Sequence, residues 1–170
     1  MKPILLLVIF FWVFTFSVKS QDSLVEKNAN QVFYLEVLGI GGYGSLNYEN
    51  VVFRKNKVKI GLRIGLSTYH IIDFTNTFNP DIIIPFSVNG FYGNKHNVEF
   101  GVGQTFSSIV QLNSTDYSTD RENGFSTSFT LGYRYQKQNG GIIFRIAYTP
   151  IIDHNKYYEN WGGISIGYAF

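Results

Sequence analysis

The chain has 170 residues, no cysteine, 14 basic against 12 acidic side chains, and is rich in Phe (16), Tyr (12) and Gly (17). That length allows one domain, and the absence of cysteine excludes both a disulfide framework and a cysteine-linked lipid anchor. The net charge of +2 is carried by Lys2 and Lys19 at the front of the chain. Residues 21–170 are electrically balanced, and nothing in them points to nucleic acid.

Residues 1–20 read as a secretory signal peptide. Lys2 gives the positive start, Ile4 to Val18 an almost unbroken apolar run too short for a spanning helix, and Val18-Lys19-Ser20 the small or modest side chains before a cut at Gln21. Residues 21–31 are polar and without periodicity, a flexible lead-in expected on the periplasmic side. From Val32 to the end the period is two almost throughout and no segment shows a helical repeat, so residues 32–170 are expected to form one all-β domain.

Eight strands are expected, at 32–43, 45–54, 58–69, 81–92, 97–110, 124–136, 142–152 and 160–170. The clearest begins at Val58. Val58, Ile60, Leu62, Ile64 and Leu66 lie on one face, with Lys59, Gly61, Arg63, Gly65 and Ser67 on the other. Phe125 to Tyr135 and Ile142 to Tyr148 repeat the pattern. Ile82-Ile83-Ile84-Pro85 disturbs it, because Ile83 falls on the small face and Pro85 offers no ladder donor, so a bulge or local irregularity is expected there. Short turns at 54–57, 93–96 and 137–140 alternate with longer loops at 70–80, 111–123 and 153–159, while the connection at Gly44-Ser45 must be very tight.

The small face is mostly Gly, Ser, Thr and Ala. It is too sparsely charged for a solvated exterior but suits the cramped inside of eight strands. The opposite face is apolar and aromatic over a length that crosses a bilayer at a tilt. This reads as an antiparallel transmembrane up-and-down β-barrel, with both termini at the periplasmic end. Phe33, Phe53, Tyr92, Tyr133, Tyr135, Tyr168 and Phe170 are expected at the periplasmic rim, and Tyr43, Tyr48, Tyr148 and Trp161 at the outer one.

The last strand alternates without a break. Ile164, Ile166, Tyr168 and Phe170 face one way, and Gly163, Ser165, Gly167 and Ala169 the other. Closing the chain on such a strand with a final Phe resembles the C-terminal insertion signal of bacterial outer-membrane barrels. Tyr34-Leu35-Glu36, Gly41-Gly42 with Ser45-Leu46-Asn47-Tyr48, Gly132-Tyr133-Arg134-Tyr135 and Phe144-Arg145-Ile146 likewise look like recurrent pieces of an uncharacterised group of small barrels. As a whole, residues 32–170 resemble the eight-stranded OmpA/OmpX-type outer-membrane proteins. The resemblance implies a monomer in the bacterial outer membrane, surrounded by lipid and lipopolysaccharide and delivered by the barrel-assembly machinery through its C-terminal strand. It supplies no activity.

The candidate chemistry is inside. With these phases Glu36, Glu49, Glu99, Arg63, Arg134 and Arg145 all point into the lumen, three acids and three bases. Unpaired charge there is costly, so they are expected to pair as a structural plug, the alternative being a gated pore. His70 with Asp73 and His154 beside Asp153 lie at the outer rim, where a lipid-modifying enzyme would keep its site. The His and Ser two apart on one strand face that deacylase barrels present are missing, however, so no catalytic residue is assigned. Neither cofactor nor metal is implied. The outer loops are acidic, through Asp73, Asp116, Asp120, Glu122, Asp153 and Glu159, and the inner turns basic. The expected role is structural or surface-interacting. An outer-membrane acyl hydrolase or transferase, or a carrier of small hydrophobic molecules, stands as the alternative, and a carrier would need an apolar lumen.

Overall fold

Alternation of large apolar and small side chains gives each strand one bulky and one nearly bare face, so the sheet curls toward the bare side. In the computed structural model, which describes residues 28–112, 118–153 and 158–170, this curling goes to closure. The strands are β1 (Gln31–Leu38), β2 (Gly44–Lys55), β3 (Val58–Ser67), β4 (Ile82–Gly93), β5 (His96–Leu112), β6 (Thr119–Tyr135), β7 (Gly141–Asp153) and β8 (Tyr158–Ala169). Each pairs antiparallel with the next, and β8 pairs back onto β1 from Val32↔Ala169 to Leu38↔Gly163. Closure leaves the ring of eight without a free strand at either side, the condition for β-structure in lipid.

The two faces fall as the pattern predicts. Outward residues such as Leu35, Leu62, Phe100, Leu131 and Ile166 are exposed, Ile166 at 60%, whereas Glu49, Glu99, Arg134 and Arg145 on the inner face have none of their surface exposed. A water-soluble barrel has the reverse arrangement. Apolar outside and charged inside, this one is built to span a membrane.

Both described chain ends lie at one rim, the lower one. There Gln31 and Phe170 exchange both backbone hydrogen bonds, at 3.1 and 2.9 Å. Ala29 donates its amide to the Gln138 carbonyl (2.8 Å), and Arg54 Nη2 donates to the Ala29 carbonyl (2.9 Å). Ala29, Val32, Tyr34, Ile143 and Ala169 form a small apolar cluster at this end.

Three details depart from the sequence expectations, and a fourth, at Pro85, takes one of its two expected forms. β1 stops at Leu38, not at residue 43, and a turn follows. Leu38, Gly39 and Gly42 take positive φ of 62°, 89° and 81°, which ends the extended conformation. The segment expected to be a loop at 111–123 is partly strand, the β5–β6 ladder continuing to Leu112↔Thr119. At Pro85 the irregularity is a gap in the ladder and not a bulge. Pairing of β3 with β4 is interrupted between Ile64↔Phe86 and Ser67↔Ile83, but the register is unchanged, and Ile83 and Pro85 both face inward. The register shift lies instead on β2, between Val51 and Phe53. Finally, Tyr48 stands opposite Phe33, ring centroids 4.9 Å apart, and so belongs with the lower aromatic belt.

A charged lumen as the candidate functional site

Six strands bring the six expected charges to the interior: Glu36 from β1, Glu49 from β2, Arg63 from β3, Glu99 from β5, Arg134 from β6 and Arg145 from β7. They meet in one alternating chain. Arg63 pairs with Glu36, Glu36 with Arg145, Arg145 Nε with both Glu99 oxygens (3.0 and 2.9 Å), Glu99 with Arg134 Nε (3.1 Å), and Arg134 with Glu49. Arg134 engages Glu49 through both terminal nitrogens, with Nη2 at 2.9 Å from Oε2, the fork geometry in which guanidinium binds carboxylate most strongly. β2 and β6 are four strands apart in a ring of eight, so this bond spans the diameter of the barrel.

Neutral groups complete the chain. Asn47 Oδ1 accepts from Arg63 Nε (2.9 Å) and Nη2 (2.7 Å), and Asn89 donates to Glu49 (3.0 Å). Arg134 donates to Gln136 Oε1 (3.3 Å) and its guanidinium lies 4.3 Å from the Phe91 ring centre, while Arg63 lies 5.3 Å from that of Tyr34. All six charged side chains are wholly buried. Burial of that completeness is tolerable only because every charge meets an opposite one.

Sequence reasoning places Lys59 on the inner face but leaves it out of the group. It is buried near the lower end and donates to the Asn97 side chain (2.7 Å) and the Asn94 carbonyl (3.2 Å), and among the described residues it pairs with no carboxylate. Its signal in the sequence is phase alone.

Above the ion pairs the β1–β2 turn folds into the mouth of the barrel. Ile40 is buried, and its carbonyl accepts from Thr105 Oγ1 on β5, across the lumen, at 2.9 Å. Gly39 is packed against Glu36 so closely that a Cβ would stand 2.6 Å from the carboxyl carbon. Over this turn opens a vestibule of about 680 Å³, whose lining includes Ile40, Ile83, Tyr69, Trp161, Glu122 and Glu159.

The terminal strand presents Ile164, Ile166, Tyr168 and Phe170 outward, the Phe170 ring stacking on Phe33 at 6.0 Å. On its inner side Ser165 Oγ is 3.4 Å from Glu36 and 3.5 Å from Arg145. At the upper rim His70 does not meet Asp73. Its Nδ1 is 3.0 Å from Asp81, a buried carboxylate that also accepts the Val110 and His70 amides (2.8 and 3.1 Å) and so ties the β3–β4 loop to β5. Asp73 instead accepts from the Thr75 hydroxyl (2.7 Å), the Thr77 and Thr75 amides (3.0 and 2.9 Å) and Asn79 (3.2 Å), which hold its carboxyl down at about 2. His96, at the lower rim, bonds Tyr133 (2.6 Å). His154 and Asp116 lie outside the described residues.

No protein-family model and no curated protein sequence matches the chain. Among solved structures it is similar to the N-terminal β-barrel domain of Pseudomonas aeruginosa OprF. The identity is 15% and the TM-score 0.56, over 85% of this chain and 100% of that one. It is also similar to the Yersinia pestis outer membrane protein Ail, whose backbone structure was determined in a phospholipid bilayer nanodisc. Here the identity is 8% and the TM-score 0.50, over 84% of this chain and 99% of that one. At such identities the likeness establishes the fold, which is that of small bacterial outer-membrane barrels.

Proposed function

We propose that this protein is an integral component of the bacterial outer membrane with a structural or surface-interaction role, its lumen filled by side chains and closed to ions. The observation that carries the reading is the alternating chain from Arg63 to Glu49. It crosses the full diameter of the barrel with no exposed charge, beneath a turn that covers it from above. A pore would keep its charges apart and wet; these neutralise one another. What remains accessible to a partner is the upper rim and its loops.

The same reading assigns residues 1–20 to a cleaved signal peptide, 21–31 to a lead-in and 32–170 to the barrel. Ile164, Ile166, Tyr168 and Phe170 serve as the signal read by the assembly machinery, and the mature protein is a monomer among lipid and lipopolysaccharide. Planar-bilayer recording tests the central claim. The wild type should give no large stable conductance, and such channels would refute the plug. Fractionation tests the location: the protein should sediment with outer membranes and run with heat-modifiable mobility. Recovery in the soluble periplasm without detergent would refute it.

A further inference from the structure

The seam between β8 and β1 is incomplete. β1 ends at Leu38, opposite Gly163, whereas β8 runs on from there to Tyr158 and above Gly163 pairs only with β7. Where the backbone ladder is missing, aromatic side chains bridge the gap. Trp161 meets Tyr43 of the β1–β2 turn at 5.9 Å, and Tyr43 meets Tyr69 at 5.3 Å. On the outer wall beside this seam lies an apolar groove of about 570 Å³. Val37, Leu38, Ile146, Tyr148 and Ile164 form its sides, and Gly162 lies among them.

Gly162 has no local reason to be glycine. Its φ is ordinary, and an added Cβ would meet a single atom, the Ala147 carbonyl oxygen, at a normal 3.6 Å. Glycine within a strand weakens it, and commonly marks a place where something else approaches the backbone. The sides of the groove are continuous with the lipid-facing belt, and its upper end is polar. There the Tyr148 hydroxyl bonds Asn160 and lies 3.0 Å from the Tyr158 hydroxyl. An apolar channel open to hydrocarbon and crowned by hydroxyl and amide groups has the polarity of a lipid standing upright.

We infer that this groove is a binding site for one acyl chain of an outer-leaflet lipid, the chain lying over Gly162 and its polar head meeting Tyr148, Tyr158 and Asn160. The inference rests on the proposed membrane location but goes beyond general solvation by lipid: it assigns one retained molecule to one place. Trp161, which borders both the groove and the vestibule, is its natural reporter.

The test uses the full chain carrying Trp12→Phe, so that Trp161 is the sole tryptophan, folded in dodecylmaltoside micelles and titrated with chain-dibrominated phosphatidylcholine. Trp161 emission should be quenched in a saturable phase complete at one lipid per protein, and unbrominated phosphatidylcholine should reverse it. Gly162→Leu, which fills the groove, should abolish that phase while the heat-modifiable band persists. A Leu66→Trp reporter on the plain wall of β3, in a chain also carrying Trp161→Phe, should show only quenching proportional to the lipid-to-detergent ratio. Proportional quenching at Trp161, a saturable phase that survives Gly162→Leu, or crosslinking of two copies through this face in place of lipid would each overturn the site while leaving the barrel intact. A protein that stays folded in water without detergent would overturn the membrane location with it.

Discussion

Replacing Arg134 by alanine is the most direct challenge to the ion-paired lumen. Among the described residues Arg134 is the only partner that holds Glu49 by charge, and one of two that hold Glu99. In its absence Glu99 keeps Arg145, at 3.0 and 2.9 Å, but Glu49 is left with the amide of Asn89 at 3.0 Å. One buried carboxylate is therefore stranded, a situation that costs about 3–5 kcal/mol, toward the lower end if water occupies the space the guanidinium leaves. Denaturant titration in phospholipid vesicles, followed by tryptophan emission and by loss of the heat-modifiable form, measures the cost. Lys55→Ala, exposed at the end of β2, should stay within about 0.5 kcal/mol of the wild type. The mechanism makes a second demand. Adding Glu49→Gln to Arg134→Ala removes the stranded charge and should restore part of the lost stability, a coupling of about 0.5–3 kcal/mol. If Arg134→Ala matches Lys55→Ala, the ion pairs contribute nothing. If Glu49→Gln recovers nothing, the loss came from packing against Phe91 and not from charge.

Three further perturbations address other parts of the molecule. Deleting Phe170, or replacing Tyr168 and Phe170 together by Ser, removes the ring stacked on Phe33 and the outward aromatics of the closing strand; folded protein in the outer membrane should fall sharply, and unchanged levels on heat-modifiability gels would count against the assembly role. Gly167→Val sets a side chain 2.6 Å from Tyr34 Cα across the β1–β8 seam, so closure should fail and the folded band should disappear, whereas Gly44→Ala, with its nearest contact at 3.9 Å, should fold normally. Asp73 titrates at about 2 instead of 3.8 because the Thr75 hydroxyl, the Thr77 amide and their neighbours favour its charged form. A depressed carboxyl stabilises its surroundings fully above 3.8 and loses that contribution as pH falls toward 2. The Thr75 and Thr77 amides should therefore lose protection over that window in a hydrogen-exchange series, and in Asp73→Asn they should show no such step.

The number of strands and their inner and outer faces are legible in the sequence because lipid outside and crowding inside impose opposite demands on neighbouring residues. Where those demands lapse, so does the legibility. Between Gln111 and Asn123 most residues are polar and the alternation is lost, and yet the backbone ladder continues to Leu112↔Thr119 because pairing needs no apolar face. The turn at 39–43 reads as strand because glycine serves two purposes here: it fills inward positions of narrow strands and it permits positive φ, and composition does not separate them. That Glu36, Glu49, Glu99, Arg63, Arg134 and Arg145 face the lumen follows from phase. Which acid meets which base does not, because Glu49 and Arg134 are 85 residues apart and their meeting depends on the stagger accumulated over four strands. The same is true of Asp81, whose partners are a loop histidine and the backbone of β5.

The bond between Glu49 and Arg134 acts as a calliper. Barrel diameter grows with strand number, and a chain that acquired one more hairpin by duplication would widen beyond the reach of a guanidinium to a carboxylate on the opposite wall. Thr105 would lose the Ile40 carbonyl for the same reason. Both would be stranded in a broader, wetter channel. The interior therefore selects against enlargement as firmly as the hydrogen-bonded wall selects against a missing strand, and descendants of this chain have room to vary in their loops but not in the count of eight.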